Sequence, residues 1–177
     1  MAKLEMAYIS FQELDEIIDL FSNVSDFDLS GYTKSSLKRR IQRIMDLENM
    51  DLVDLKNAIV NIEGFQTYLM QEVTVNVTEM FRDPKYFAAL RNDVLPYLET
   101  FPRIKLWSAG CSTGEEVYSM AILLKEAALY DRSFIYGTDI NGTVLDTAKK
   151  AIYPLKKLKG YTENFNETGS INSLSNY

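Results

Sequence analysis

Apolar residues recur at helical spacing through the first part of the chain. Phe11, Leu14, Ile17, Ile18 and Phe21 fall on one face of a helical period, and Leu37, Ile41, Ile44 and Met45 do the same further on. Asp51 with Asp54 suits the start of a third helix, with Leu55, Ile59, Ile62 and Phe65 as its stripe, and the Gly64 region is expected to end or bend it. The stretch QTYLMQEVTV (66–75) fits a helix end or an extended chain equally well. A boundary is expected near residue 75, with an all-helical domain over 1–75.

The pattern then changes. Asp83-Pro84 suits an N-cap followed by proline at the first helical position, and Phe87, Leu90, Val94 and Leu98 supply an apolar stripe behind it. Pro96 lies inside this segment, so the helix is expected to stop near Leu95 or to kink there. Short apolar runs at 104–107 (IKLW) and 134–137 (FIYG) predict strands, and helices are predicted over 115–130 and 143–151. Strand, glycine turn, helix, strand, acid and helix together describe the opening half of a doubly wound α/β domain over 76–177. From Tyr161 to Tyr177 the chain has no Lys or Arg and little periodicity, so loop or a disordered tail is expected from about 161. Two strands are few for a sheet with helices on both faces, and the chain is read as a fragment with a partial α/β domain.

Composition narrows the chemistry. Of 177 residues, 46% are hydrophobic and 25% charged, enough for one core or two small ones in a soluble chain. A formal net charge of -6 argues against a general nucleic-acid coat. No apolar run reaches the roughly 18 residues of a membrane span, and the start MAKLEMAY lacks an apolar signal core, so a cytoplasmic protein without membrane insertion is expected. A single Cys fits a reducing compartment, and Cys111 reads as a small turn residue rather than a nucleophile. The chain has no His, which removes histidine triads, the usual imidazole acid/base chemistry and most zinc sites; no metal is expected. Trp107 and the tyrosines read as core and cleft packing.

The stretch KLWSAGCSTGEEVYSMAIL (105–123) carries the sharper signal. Ser108, Ala109, Gly110 and Gly114 let the chain turn sharply after a strand and leave room for a ligand to approach the backbone. Glu115 and Glu116 at the mouth of the following helix would repel a phosphate and fit a cationic or hydroxyl-bearing ligand better. Acids at that position also stabilise a helix N-terminus for structural reasons alone. Asp139, just past the second strand, stands where an acid hydrogen-bonds ribose hydroxyls in nucleotide-binding α/β units, or where it caps the next helix, a job that Asn141 suits equally. Together these favour an adenosine-type ligand with a positive centre, as in S-adenosylmethionine. Nicotinamide dinucleotides are the alternative, although the glycine pattern lacks their G-x-G-x-x-G spacing.

The stretches NVTEMFRDPKYFAAL (76–90), VLPYL (94–98), IKLWSAGCSTGEEVYSMAI (104–122) and GTDINGTVLDTAKKAIY (137–153) resemble the chemotaxis receptor glutamate methyltransferases, the CheR type. The resemblance implies an all-helical N-terminal domain followed by a Rossmann-like S-adenosylmethionine-dependent methyltransferase domain. It implies methylation of glutamate side chains on methyl-accepting chemoreceptors to methyl esters, with S-adenosylhomocysteine as product. Asn76, Thr78 and Arg82 match the family's N-x-T-x-F-F-R cofactor-contacting segment, Glu116 matches the acid that holds the cofactor, with Glu115 beside it, and Asp139 matches the ribose-binding acid. Gly110 belongs to the cofactor turn. Met80 replaces the first aromatic of the Phe-Phe pair; both are large and apolar, so cofactor packing is expected to survive. The family's later Asn-Leu segment, a late tyrosine and a small receptor-docking β-subdomain would lie beyond Tyr177.

Transfer of a methyl group to a carboxylate needs no general base, because a glutamate with a pKa of about 4.3 is already ionised at neutral pH. Arg82 is assigned to orientation of substrate or cofactor, with Asn76 and Thr78 as neutral donors and acceptors; a plain ion pair of Arg82 with Asp83 and a turn-capping Thr78 are the alternatives. KSSLKRRIQR (34–43) concentrates Lys34, Lys38, Arg39, Arg40 and Arg43 in a net acidic chain, and the resemblance makes this helix a docking surface for acidic receptor helices, with a solvated face as the alternative. Asp46 interrupts the row. Two other functions remain open: a non-catalytic cofactor-binding or scaffold module in chemotaxis-like signalling, and a small-molecule methyltransferase, against which the basic helical region argues.

Overall fold

Ser10 opens the first helix, α1 (Phe11–Val24), by a reciprocal cap. Its hydroxyl accepts from the Glu13 N–H at 3.1 Å, and the Glu13 carboxylate accepts from the Ser10 N–H at 2.6 Å. Asp51 and Asp54 repeat the device at α3 (Leu52–Asn61), at 2.8 and 3.2 Å. The computed structural model describes residues 8–74 and 77–177, and the chain divides into two units, Met1–Val75 and Asn76–Tyr177.

In the first unit every regular element among the described residues is a helix: α1, α2 (Lys34–Glu48), α3 and α4 (Phe65–Val73). Leu14, Ile17, Phe21, Leu37, Ile41, Leu55, Ile59 and Leu69 meet in one buried cluster. Gln42 is the buried polar exception. Its side-chain oxygen accepts from the Ile9 N–H and its nitrogen donates to Asp46, so both ends of the amide are satisfied. The third helix is shorter than its sequence stripe. It ends at Asn61, Ile62 is exposed, and Gly64 at φ 80 restarts the chain so that Phe65 begins α4. The ambiguous stretch after Gln66 is helical through Val73.

The second unit begins its helices at Asp83-Pro84, but Asp83 sits at φ 57 and its side chain makes no cap bond. The segment is α5 (Pro84–Ala89), a π-turn over Leu90–Val94, and α6 (Leu95–Glu99). The Leu95 N–H reaches back to the Leu90 carbonyl, one residue further than in an α-helix. This wider turn precedes Pro96, which lacks an N–H to continue the ladder. The inserted residue also moves the stripe: Val94 is exposed, and Leu95 takes the buried position.

The sheet has two parallel strands, β1 (Ile104–Ala109) and β2 (Ser133–Thr138), in register Ile104↔Ser133 through Ala109↔Thr138. Between them runs α7 (Glu115–Glu126), which stops earlier than 130 because Ala128 turns left-handed at φ 55. After β2 come α8 (Gly142–Lys150) and α9 (Leu155–Glu167). Ile104, Leu106 and Ile135 face the core, while Lys105, Trp107, Phe134 and Tyr136 are exposed. Trp107 is 71% exposed, so the expectation that it packs in the core fails. It belongs to the alternate set of strand positions, which leave the sheet on the uncovered side.

The expected irregular tail from 161 is also corrected. Residues 161–167 complete α9, and Tyr161 and Phe165, four apart, are buried. Phe165 lies 4.9 Å from the Phe81 ring and 6.3 Å from Tyr177, and Phe81 lies 5.3 Å from Phe87. The last residues are held by Glu126, whose carboxylate accepts from Arg91, from Ser170 and from the Asn172 amide at 3.0 Å. Burial pushes the Glu126 carboxyl upward, and these donors outweigh it, so its pKa lies below the usual value. Among the described residues no helix is long and apolar enough to cross a membrane.

Phe165→Ala removes a fully buried ring and is expected to destabilise the second unit by about 3–5 kcal/mol. Urea unfolding followed by the fluorescence of Trp107, the chain's single tryptophan, measures it. A loss below about 1 kcal/mol would show that the C-terminal segment contributes little to the core.

Candidate functional site

The loops that leave the C-terminal ends of β1 and β2 are stitched together by backbone and one carboxylate. Past β1, Gly110 (φ 73) turns the chain, and the Gly110 and Cys111 N–H groups both donate to the Thr138 carbonyl, at 2.8 and 2.9 Å. Ser112 follows at φ 49, and its N–H donates to one oxygen of Asp139 at 2.8 Å. The other Asp139 oxygen accepts from the Asn141 N–H at 2.9 Å. Asn141 is the actual cap of α8, accepting from the Thr143 N–H at 3.0 Å. Asp139 is therefore free of capping duty and ties the two loops to each other. Gly114 (φ 90) closes the turn, and a Cβ there would lie 2.8 Å from the Ala148 Cβ.

The paired glutamates at the start of α7 face different surroundings. Glu116 is exposed and accepts from the Ser108 hydroxyl at 2.6 Å. Glu115 is 0% exposed. One of its oxygens accepts from Lys157 at 3.2 Å and from the Tyr161 hydroxyl at 3.0 Å, and the other from Thr113. The placement of Glu115 among ligand contacts thus meets a carboxylate with no open surface and with its oxygens already engaged. Lys157, Tyr161 and Thr113 escaped the sequence reading. Tyr161 begins the segment whose polar composition suggested a tail, and Lys157 stands four residues before it.

Asp139 is half-buried, and its oxygens keep lone pairs for further donors. With Glu116 it makes the mouth acidic, which suits hydroxyls and a positive centre. The buried Ser112 hydroxyl has no hydrogen-bond partner among the described residues, and a Cβ at Gly110 would meet open space. The donor set therefore fits a hydroxyl-rich, cationic ligand such as S-adenosylmethionine. Burial, and then the Asp139 charge, push the Cys111 thiol up, which leaves it protonated and weakly nucleophilic. Among the described residues no group of His, Cys, Asp and Glu could hold a metal ion.

The preceding segment lies on a strained loop. Phe81 and Asp83 both take left-handed backbone, at φ 53 and φ 57, a conformation that costs residues with a Cβ about 1–2 kcal/mol. The loop is held by the Phe81 N–H on Ser119 Oγ at 2.9 Å and by Asn164 Nδ2 on the Met80 carbonyl at 3.1 Å. Arg82 is exposed and donates to the Val77 carbonyl at 3.2 Å. Thr78 lines a cleft with Lys156, Lys157 and Tyr161. Among the described residues, neither Arg82 nor Thr78 hydrogen-bonds to Glu116 or Asp139. Asn76 lies outside the described residues.

The basic run on α2 is largely engaged within its own unit. Lys34 pairs with Asp15 at 2.6 Å, Lys38 stands 4.7 Å over the Phe11 ring, and Arg43 pairs with Glu72 at 3.5 Å. Arg40 donates to the Glu72 and Thr74 carbonyls at the end of α4. Arg39 is exposed.

The Glu115 cluster dictates an alkaline limit on stability. Burial works against the charge of Lys157, but its bonds to Glu115 and Tyr161 prevail and raise its pKa; burial, then the Glu115 acceptor, raises that of Tyr161. Both groups hold their protons more tightly folded than unfolded. Their contribution is complete below the unfolded values of about 10 and is lost as pH rises through the folded ones. The urea midpoint should fall as pH rises above about 10, and less steeply in Tyr161→Phe. Equal slopes would remove Tyr161 from the account.

Residues 76–171 match the family described as CheR methyltransferase, SAM binding domain. The chain is 44% identical over 152 residues to a protein of Pseudomonas putida named as the methyltransferase Cher3, covering 85% of this chain and 56% of that one. It is 32% identical over 161 residues to a chemotaxis protein methyltransferase of Borreliella burgdorferi, covering 82% of this chain and 56% of that one. The chain thus spans about half the length of these relatives. A chemotaxis protein methyltransferase 2 of Pseudomonas aeruginosa is 38% identical over 98 residues, covering 54% of this chain and 35% of that one. The chain belongs to the CheR methyltransferase family, and its second unit carries that family's S-adenosylmethionine-binding domain.

Proposed function

We propose that this protein, or the longer protein of which it forms part, transfers a methyl group from S-adenosylmethionine to glutamate side chains of chemoreceptor helices, forming methyl esters. The observation that carries the reading is the Asp139 carboxylate locking the glycine turn, with Glu116 exposed beside it, within a domain of this family. The unit then represents the first part of a Rossmann-like methyltransferase fold, and 1–75 a helical receptor-facing domain.

When bound, the cofactor supplies a methyl carbon attached to a positively charged sulfur. Asp139 accepts from ribose hydroxyls through the lone pairs that its two backbone donors leave open. Glu116 holds the ligand from the first turn of α7. Ser112 Oγ supplies a further polar contact from the floor of the turn, and Gly110 lets the ligand approach the backbone. Arg82 and Thr78, with Asn76, orient the acceptor. Held by Asp139 and Glu116, the cofactor would supply its methyl carbon to the acceptor carboxylate in exchange for its bond to sulfur, which would keep the electron pair. No proton moves, so the lack of His costs nothing here. The protein's work is alignment and exclusion of water. Glu115, in this reading, supports the site from inside rather than touching the ligand.

The uncovered aromatic face of the sheet, with Trp107, Phe134 and Tyr136 exposed, favours a second reading: a cofactor-binding or scaffold module that does not transfer. Calorimetric titration with S-adenosylhomocysteine and a methyl-transfer assay separate the two. Wild type should bind, and Asp139→Ala should lose at least about tenfold in affinity, as expected for a charge-assisted hydrogen bond removed. Asp139→Asn, which keeps the size, should fall in between. Base-labile methyl groups on a glutamate-bearing receptor helix support transfer; binding without them supports the scaffold. A folded wild type that binds neither S-adenosylmethionine nor its product would sink both.

A further inference from the structure

The residues from the end of α8 to the middle of α9 form a basic surface of which the site engages only Lys157. Lys149, Lys150, Lys156, Lys157 and Lys159 place five lysines within eleven residues of a chain whose net charge is -6. Lys149 and Lys159 have only loose surface partners, Asp146 at 3.5 Å and Glu163 at 3.9 Å. Among the described residues Lys150 and Lys156 make no ion pair. Interleaved with them, Ile152, Leu155 and Leu158 are 76%, 85% and 46% exposed. Packing among the described residues leaves these large aliphatic side chains uncovered, because the buried side of α9 is met by Tyr161 and Phe165.

The surface borders a cleft of about 380 Å³ lined by Thr78, Glu79, Lys156, Lys157 and Gly160. By contrast, four of the five cations on α2 are tied to partners of their own unit. We propose that the Lys149–Lys159 surface docks an acidic amphipathic helix, whose apolar side covers Ile152, Leu155 and Leu158 and whose carboxylates meet Lys150, Lys156 and Lys159. The cleft beside Thr78 receives one of its acidic side chains. A bilayer surface offers charge and apolar depth as well, but it cannot enter a concave cleft, and the proposal is therefore a protein helix. The docking stands on this surface alone; only the identity of the helix as methyl acceptor rests on the reading above.

The probe is a labelled synthetic helix with glutamates along one side and leucines along the other, followed by fluorescence anisotropy. The Lys150→Glu/Lys156→Glu/Lys159→Glu variant should keep its circular dichroism and its affinity for S-adenosylmethionine, and lose at least about tenfold in affinity for the helix. Raising salt from about 0.05 M to about 0.15 M should weaken wild type more than the variant. Ile152→Ser/Leu155→Ser should weaken binding without changing the salt dependence. Loss of helix binding on charge reversal, even from a protein that fails to bind S-adenosylmethionine, supports the docking surface while removing the methyl-transfer reading. Unchanged binding in the lysine variant, with loss in Lys34→Glu/Lys38→Glu/Arg39→Glu, overturns the proposal. So does a wild type that ignores the helix, whether or not it cosediments with phosphatidylglycerol vesicles.

Discussion

A carboxylate without solvent must be met by donors on every side, and in the second unit that carboxylate is Glu115. Lys157, Tyr161 and Thr113 converge on it, and its own backbone carbonyl accepts from Ser119, which in turn holds the Phe81 N–H. One buried charge thereby connects the start of α7, the body of α9 and the strained loop that carries Arg82. Removing such a partner leaves unpaired polar groups behind, so these segments hold their places together. The same demand turns Glu115 inward and leaves its neighbour Glu116 facing out.

That inversion places the two acids on different tasks. Glu116 stands at the mouth of α7, beside the loops that Asp139 binds together. Asp139 is spared from capping because Asn141 does that work, and its carboxylate bridges Ser112 and Asn141 instead. The turn is thus rigid before any ligand arrives, which reduces the entropy lost on binding. The protein presents an acidic mouth there, and beneath it lies the buried Ser112 hydroxyl, which has no hydrogen-bond partner among the described residues. The family's S-adenosylmethionine is a ligand of the matching chemistry.

The sequence is most legible where one periodicity acts alone. The apolar stripe of α1, the capped start of α3, both strands and the glycine turn follow from spacing and from residues with one strong preference. It is less legible where a local rule meets a tertiary demand. Val94 belongs to the helical stripe until the π-turn before Pro96 shifts the register and exposes it. Trp107 looks like core by its size, but alternation along β1 sends it to the open side. Residues 161–167 look like a tail by composition, because Tyr161 and Phe165 are the only large apolar groups among Asn, Thr and Glu, yet four-residue spacing is enough for one buried stripe. In the site, the GEE pair and Asp139 stand out from their positions after the strands. Which glutamate turns inward cannot be read without Lys157 and Tyr161, about forty residues away in the chain.

The division of labour between Glu115 and Glu116 can be separated by a matched pair of variants. Glu115→Gln and Glu116→Gln would each be measured for unfolding free energy in urea and for S-adenosylhomocysteine affinity at a temperature where both are folded. Glu115→Gln should lose about 1–3 kcal/mol of stability and keep its affinity, while Glu116→Gln should keep its stability and lose affinity. A Glu115→Gln protein of unchanged stability that no longer binds the ligand would contradict that division.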